Sequence, residues 1–193
     1  MEKLIVNDAV SLSSIAPRHA EPLFSLVEEN REYLREWLPW LDSTQTIEDI
    51  HRFIKTVIEQ RKKGLGQQFV ICLNPSTQIN ASDKSVICGV VGLDRIDKAH
   101  RGGAMGYWLA QAYSGHGIMT AAVSSVLALG FQEYQLNKID IRCATKNARS
   151  RAIPERLGFT YEATLRQCEW LYDHFVDHAV YSLLAKEYQQ KSV

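Results

Sequence analysis

Apolar residues recur at two different spacings along the chain, and the changes of spacing divide it into helices and strands. Apolar residues between positions 47 and 58 recur at helical intervals. At the start of this stretch, Thr46 and Asp49 have the spacing of a capping box. Gly64 is suited to end this helix, because glycine adopts the left-handed conformation without strain. Runs rich in β-branched and other apolar residues at 67–73 and 86–94 predict strands.

The remaining elements interleave helices and strands to the end of the chain. The predicted strands are 10–15, 103–109, 138–143, 159–172 and 175–184, and the predicted helices are 18–30, 117–134 and 147–157. The polar segment 74–85 predicts a hairpin connection, and Pro39 should break any helix within the aromatic segment 31–42. Because no repeat or linker divides the chain, we predict one α/β (α+β) domain over residues 1–193, with a mixed central β-sheet flanked by helices.

Composition and charge exclude several classes of protein. The 193 residues carry 22 Lys and Arg against 22 Asp and Glu, so the formal charge is zero. Sequence-independent nucleic-acid binding is disfavoured, because it requires a surplus of positive charge. The longest apolar run, 86–93, is far shorter than the roughly 20 residues of a membrane span, and the N-terminus lacks a signal-peptide pattern. We therefore expect a cytoplasmic protein with no membrane partner and no direct nucleic-acid binding.

The cysteine and histidine spacings argue against a metal site. The four cysteines are widely spaced in apolar or strand-like contexts: Cys72, Cys88, Cys143 and Cys168. Without a Cys-x-x-Cys pair, they are expected to be reduced thiols that pack as small hydrophobic side chains. His174 and His178 have a spacing found in metal sites, but no third ligand lies nearby in the sequence. We therefore expect no metal.

A strand, a glycine-containing loop and a helix follow one another around residue 115. The predicted strand ends at Leu109, the loop carries Gly115 and Gly117, and an amphipathic helix begins at once. This order presents bare backbone N–H groups and the positive end of a helix dipole to an anion. The loop lacks the Gly-Lys-Ser/Thr of a P-loop and the complete fingerprint of a Rossmann fold. It predicts a phosphate-bearing ligand other than a dinucleotide, although a plain helix-start turn has the same pattern.

Segments across the chain resemble the GNAT superfamily of acyl-CoA-dependent N-acetyltransferases, and more narrowly its RimJ/RimL branch, which acetylates the N-termini of ribosomal proteins. The superfamily's pyrophosphate motif, Gln/Arg-x-x-Gly-x-Gly/Ala, aligns with residues 114–119, where Gly117 matches and Ser114 and Met119 depart. The likeness to the branch covers residues 9–185. It is carried by 35–42 (REWLPWLD), 118–121 (IMTA), 142–147 (RCATKN), 150–159 (SRAIPERLGF), 165–169 (LRQCE) and 176–183 (VDHAVYSL).

The resemblance implies how acetyl-CoA is held. The mixed sheet would splay between two parallel strands, one ending at Leu109 and one at 139–143, and the pantetheine arm would lie in that opening. Asn147 would bond the pantetheine amides while capping the helix that follows it. The implied cofactor-binding residues are Leu109, Ser114, Gly115, His116, Gly117, Ile118, Met119, Thr120 and Asn147. Of these, His116 is expected to face solvent. The branch also implies a homodimer, because its peptide groove is often shared between subunits.

Acetyl transfer to an amine requires a proton acceptor and a hydrogen-bond donor for the leaving thiolate, and it needs no covalent enzyme intermediate. The resemblance assigns the acceptor to Glu169, which strand alternation places on one face with the other odd-numbered residues from 165 to 171. It assigns the donor to Ser150. The structural alternatives are a salt bridge between Glu169 and Arg166, and helix capping by Ser150.

Trp37 and Trp40 are candidates for the wall of the acceptor site, because aromatic side chains give rigid contact area to a peptide groove. Packing of one of the two into the core is the alternative. Three functions remain open from the sequence. The chain could acetylate the N-terminal α-amino group of a protein, such as a ribosomal protein. It could instead acetylate a small amine such as a polyamine, an amino acid or a drug, or bind acyl-CoA without catalysis.

Overall fold

The computed structural model describes residues 3–74 and 85–191, which form an eight-stranded mixed sheet with helices on both faces. The strands are β1 (Lys3–Ile5), β2 (Val10–Ser14), β3 (Gln67–Leu73), β4 (Val86–Asp97), β5 (Gly102–Leu109), β6 (Lys138–Ala144), β7 (Thr160–Leu171) and β8 (His174–Leu184). The helices are α1 (Ala20–Glu29), α2 (Arg31–Arg35), α3 (Ile47–Lys63), α4 (Ile118–Ala128), α5 (Ala148–Arg156) and α6 (Ala185–Lys191). The strand order is β1-β2-β3-β4-β5-β6-β8-β7.

The predicted order of elements is confirmed, with differences at the ends. α2 ends at Arg35, ahead of Pro39, and the helix predicted to reach residue 134 continues beyond α4 as a π-helical turn over Leu129–Glu133. β1 and α6 were not predicted, because three and seven residues are too short to show a clear period. Residues 75–84 of the predicted hairpin connection (74–85) lie outside the described residues.

β5 and β6 are parallel neighbours that separate partway along their length. Their pairing ends where Met105 lies opposite Ile141. β5 continues along β4 until Leu109 lies opposite Gly89, while β6 continues along β8 to Ala144. Because each strand follows its own antiparallel partner, the sheet opens between them. The predicted splay between two parallel strands is therefore confirmed.

Three apolar clusters fix the surroundings of this opening. The largest packs α4 and α5 against one face of the sheet and includes Val123 and Tyr181. The second lies under α1 and α3 on the other face and includes Ile54. The third surrounds Leu34 and Leu41 and anchors the aromatic segment. In the described part of the chain, no helix combines the length and apolar composition that a membrane span needs.

Candidate active site

The loop between β5 and α4 forms an open turn lined by backbone donors. Gly115 and Gly117 have φ values of 85° and 75°, in the left-handed region that glycine enters without strain. Gly117 is the N-cap of α4, and no side chain among the described residues caps that helix. The N–H groups of its first turn therefore lack the partner that a capping side chain supplies. A Cβ built on either glycine meets nothing within 4 Å, so the turn has room for a diphosphate.

Other residues of the loop connect it to the rest of the protein. The hydroxyl oxygens of Ser114 and Tyr33 lie 3.2 Å apart, which ties the loop to α2. Met119 is buried in the core, whereas His116 is exposed, as predicted. Arg156 of α5 donates to Thr120 Oγ1 at 2.7 Å and brings a guanidinium to the first turn of α4. This cation could not be predicted from the sequence, because a contact between residues 36 positions apart leaves no local pattern.

Asn147 and Ser150 have separate structural roles at the start of α5. Asn147 Oδ1 accepts a hydrogen bond from the backbone N–H of Ser150 at 3.0 Å, so Asn147 is the cap. The alternative in which Ser150 caps the helix is wrong. The Ser150 hydroxyl instead donates to the hydroxyl of Tyr107 at 3.3 Å, and Tyr107 donates to the Ser150 carbonyl at 3.0 Å. Tyr107 belongs to the part of β5 that has left β6, so Ser150 lies beside the opening.

Glu169 has a partner on the neighbouring strand. Its Oε2 lies 3.1 Å from Nε2 of His178, and the two side chains are only 29% and 14% exposed. The partner is therefore His178 rather than Arg166. The contact is diagonal, because the residue directly opposite Glu169 is Val176. A half-buried carboxylate held by an imidazole is a geometry in which a carboxylate can accept a proton.

The two histidines with metal-like spacing both contact carboxylates. His174 Nδ1 lies 2.6 Å from Asp173 Oδ1, and His178 contacts Glu169. Over 3–74 and 85–191, no group of three His, Cys, Asp or Glu side chains is arranged to hold a metal ion.

Of the four cysteines, Cys168 is exposed, whereas the other three are buried. The exposure of Cys168 corrects the expectation that all four pack inside.

A bulge interrupts the alternation expected along β7. Leu165 lies opposite His178 and Glu169 opposite Val176, so β7 advances four residues while β8 advances two. The two extra residues keep Leu165 and Glu169 on one face. Gln167 lies within the bulge at φ 46°, and its N–H donates to Asp177 Oδ1 at 2.7 Å. Because the backbone of Gln167 is not extended, simple alternation does not apply at this residue.

Trp37 and Trp40 differ in their surroundings. The ring of Trp40 lies 6.1 Å from that of Trp108 and packs in the cluster around Leu34 and Leu41. Trp40 is half-buried, as Trp37 is, and it packs against this cluster. Trp37 is half-buried and follows α2 directly, so it remains the candidate for the acceptor wall.

The aromatic segment is fastened to the hairpin that carries Glu169. Arg35 forms two hydrogen bonds of 2.8 Å with Asp42, and these bonds lower the pKa of that carboxyl. The Arg35 guanidinium also lies 3.7 Å from the centroid of the Tyr172 ring, in the turn between β7 and β8. Tyr172 in turn donates its hydroxyl proton to the carbonyl of Leu38. These contacts make the hairpin and the segment one continuous surface.

Asp94 is a second carboxylate near the opening. It lies where the register between β4 and β5 shifts, and its carboxylate is so close to Gly106 that a Cβ there would collide with it. Part of Asp94 remains exposed, yet packing against the strands removes water from the carboxylate and raises the pKa of Asp94 to about 6.

We expect Asp94→Asn to raise the melting temperature at pH 8 and to change it little at pH 4. The pKa of Asp94 rises from an ordinary 3.8 to about 6 on folding, so the folded state binds the proton more tightly. The ionised carboxylate therefore destabilises the folded state above pH 6, and the cost fades as the pH falls toward 4. Because the Asp94 carboxylate is partly solvated, we expect the substitution to raise the free energy of unfolding by about 1 kcal/mol, which is a few degrees in melting temperature. Thermal unfolding at both pH values measures the effect, and an equal gain at both contradicts it.

Comparison with known sequences assigns this arrangement to a family. The model of the acetyltransferase (GNAT) domain matches residues 10–160. A putative ribosomal N-acetyltransferase of Bacillus subtilis (strain 168), YdaF, is 31% identical over 184 residues, which cover 95% of this chain and 96% of that protein. A ribosomal-protein-serine acetyltransferase of Escherichia coli (strain K12) is 26% identical over 181 residues, covering 94% and 96%.

Solved structures share the fold. The microcin C7 self-immunity acetyltransferase MccE, in complex with acetyl-CoA and AMP, superposes with a TM-score of 0.81 at 28% identity, covering 93% of this chain and 94% of that one. RimL, a ribosomal alpha-N-protein acetyltransferase in complex with coenzyme A, has a TM-score of 0.86 at 22% identity, covering 96% and 99%, which supports the fold alone. With a family match over most of its length, a sheet that opens between β5 and β6 and an uncapped glycine turn beside that opening, the chain belongs to the GNAT family and is an acyl-CoA-dependent N-acetyltransferase that uses acetyl-CoA.

Proposed function

We propose that this enzyme transfers the acetyl group of acetyl-CoA to the N-terminal α-amino group of a protein, with a ribosomal protein as the first candidate. The observation that carries the proposal is the continuous surface formed by the Glu169 hairpin and the aromatic segment, joined through Arg35 and Tyr172. On this surface Glu169 would accept the proton, and Trp37 would form part of the wall for a peptide. Relatives named as ribosomal N-acetyltransferases, similar over nearly their whole length, support this acceptor and, with it, a cytoplasmic site of action.

Acetyl-CoA would lie with its diphosphate on the glycine turn and its pantetheine arm in the opening of the sheet. The residues proposed to hold it are Leu109, Ser114, Gly115, His116, Gly117, Ile118, Met119, Thr120 and Asn147. The backbone of β5 beyond Met105 faces the opening and supplies hydrogen bonds to pantetheine. Because the Oδ1 of Asn147 caps α5, its NH2 group is the one that would bond a pantetheine carbonyl.

The transfer itself is a direct displacement. The amine nitrogen attacks the thioester carbonyl carbon, the C–N bond forms, and the C–S bond breaks with its electron pair remaining on sulfur. Glu169 accepts the proton that the amine loses, and His178 holds the carboxylate in place. The Ser150 hydroxyl donates a hydrogen bond to the departing thiolate. Holding both reactants in the opening supplies much of the rate enhancement, so no covalent enzyme intermediate is required.

A homodimer belongs to the same proposal. β7 is the last strand of the sheet, and large apolar side chains on β7 and β8 are exposed: Tyr161, Leu165, Trp170 and Phe175. An exposed edge strand with an apolar surface favours pairing with another chain. A second subunit here would cover this surface and add a side to the acceptor groove.

A small amine is the second candidate acceptor, and the similarity to MccE favours it. That protein is a self-immunity acetyltransferase solved with AMP, and it is more similar in sequence to this chain than RimL is. Non-catalytic acyl-CoA binding is the third candidate, and the paired placement of Glu169 with His178 and of Ser150 with Tyr107 disfavours it.

A screen for CoA release discriminates these candidates. Peptides that differ only in their N-terminal residue are compared with the same peptides carrying a blocked N-terminus, and with polyamines and free amino acids. We expect release that requires a free peptide N-terminus and depends on its first residue. Release only with small amines would establish the second candidate. Thermal stabilisation by acetyl-CoA with no release from any amine would establish the third.

A further inference from the structure

Tyr107 spans the opening of the sheet and has no role in the proposed reaction steps. It lies two residues beyond Met105, the last residue of β5 that pairs with β6, and it packs against the core on the α4 side. Its hydroxyl reaches α5 and donates to the carbonyl oxygen of Ser150 at 3.0 Å. The phenol therefore connects β5 to the helix that follows β6, across the gap where the two strands no longer pair.

The Ser150 carbonyl needs this donor because of a proline. In an α-helix it would accept the N–H of the residue four positions later, and that residue is Pro154, inside α5. Proline has no N–H, and its ring crowds the carbonyl four residues before it. A partly buried carbonyl without a donor is unfavourable. The Tyr107 hydroxyl supplies the hydrogen bond that Pro154 removes.

The same phenol also holds the side chain of Ser150. Ser150 Oγ donates to the Tyr107 hydroxyl at 3.3 Å. Burial raises the pKa of Tyr107, so the phenol stays protonated. Because its proton is committed to the Ser150 carbonyl, its oxygen is available only as the acceptor for Ser150 Oγ. The Ser150 hydroxyl is thereby held at one position beside the opening.

We propose that Tyr107 is a positioning residue for Ser150. Its hydroxyl supplies the hydrogen bond that Pro154 removes from the backbone of α5, and it holds the Ser150 hydroxyl where it can reach the sulfur of acetyl-CoA. The proposal rests on the proposed role of Ser150 as donor to the thiolate. As the C–S bond breaks and sulfur takes the electron pair, the Ser150 O–H turns from the Tyr107 oxygen to the sulfur. No proton leaves Tyr107, and its bond to the Ser150 carbonyl remains in place.

A double-mutant cycle tests whether Tyr107 acts through Ser150. The wild type, Tyr107→Phe, Ser150→Ala and the double variant are compared by kcat and by KM for acetyl-CoA. We expect Ser150→Ala to lower kcat about 10-fold, and Tyr107→Phe about 5-fold with KM within two-fold. In the Ser150→Ala background, Tyr107→Phe should change kcat less than about 1.5-fold, because the group that it positions is gone. Tyr134→Phe removes another half-buried phenol that packs against the same cluster and should leave kcat unchanged.

Three outcomes would overturn the proposal in distinguishable ways. An equal loss of kcat from Tyr107→Phe in both backgrounds would show that Tyr107 acts independently of Ser150. A slow Ser150→Ala variant beside a fully active Tyr107→Phe variant would overturn the positioning role and leave the role of Ser150 intact. Wild-type activity in Ser150→Ala would instead overturn the donor role on which the proposal rests.

Pro154→Ala gives a measure that does not depend on activity. The variant restores an N–H within reach of the Ser150 carbonyl, so that carbonyl no longer depends on Tyr107. We expect Tyr107→Phe to lower the melting temperature by about 4 °C in the wild-type background, and by less than half as much in the Pro154→Ala background. Equal shifts in the two backgrounds would contradict the claim that Tyr107 replaces the missing helical hydrogen bond.

Discussion

Replacing Glu169 by glutamine is expected to lower kcat about 100-fold while KM for acetyl-CoA stays within two-fold. Glutamine has the same shape and can still hydrogen-bond His178, which lies 3.1 Å from the carboxylate. It cannot accept a proton, so the attacking amine must lose its proton to water instead. The expected signature is therefore a loss in the rate of the chemical step rather than in the binding of the acetyl donor.

Steady-state kinetics over a range of pH, with the best acceptor from the screen, measures this effect. The matched control is Glu59→Gln, which removes the same charge from the exposed side of α3 and should leave kcat unchanged. We expect a lower kcat in Glu169→Gln at each pH tested and the wild-type kcat in the control. A Glu169→Gln variant with the wild-type maximal rate and the wild-type pH dependence would remove Glu169 from the role of base.

Replacing Gly117 by alanine is expected to raise KM for acetyl-CoA about 30-fold, or by about 2 kcal/mol of binding free energy. Two separate effects are expected, of which the first lowers stability and the second lowers the affinity for acetyl-CoA. The backbone at φ 75° strains any residue with a Cβ, at a cost of about 1 kcal/mol. The added methyl group also projects into the open space above the turn, where the diphosphate must approach the N–H groups closely.

Gly64→Ala separates strain from lost binding. Gly64 ends α3 in the same left-handed region, at φ 65°, and lies outside the proposed cofactor site. Both variants should lose stability in thermal unfolding, and Gly64→Ala should lose somewhat more because its Cβ would lie 2.9 Å from Nζ of Lys98. Only Gly117→Ala should lose affinity for acetyl-CoA in calorimetric titration. Equal affinity in the two variants would show that the diphosphate does not lie on the glycine turn.

Much of the candidate site could be predicted because its parts are local in sequence. The turn around Gly117 follows a strand and begins a helix, so its exposed N–H groups are implied by three consecutive elements. Asn147 likewise caps a helix that starts at the next residue. Such features depend on φ, ψ and hydrogen bonds within a few residues, and these leave a pattern that a single sequence carries.

Residues that act across the fold could not be predicted in this way. Arg156 meets Thr120, and Tyr107 meets Ser150, only because the sheet brings α5 beside α4 and β5. The bulge at Gln167 also leaves no trace in the sequence pattern, since its two extra residues preserve the alternation of the positions on either side. Long-range contacts of this kind depend on register and packing, which the local spacing of residue types does not specify.

Most of the order of helices and strands and the glycine turn follow from the amino-acid sequence alone, since both rest on short-range spacing. The resemblance to acyl-CoA-dependent acetyltransferases also comes from the sequence, through motif segments spread along the chain. Only the tertiary structure decided that Trp40 packs against the cluster around Leu34 and Leu41, and that His178 is the partner of Glu169. In each case, several partners are compatible with the local sequence. The choice among them is made by strands and helices distant in the chain that bury the same space.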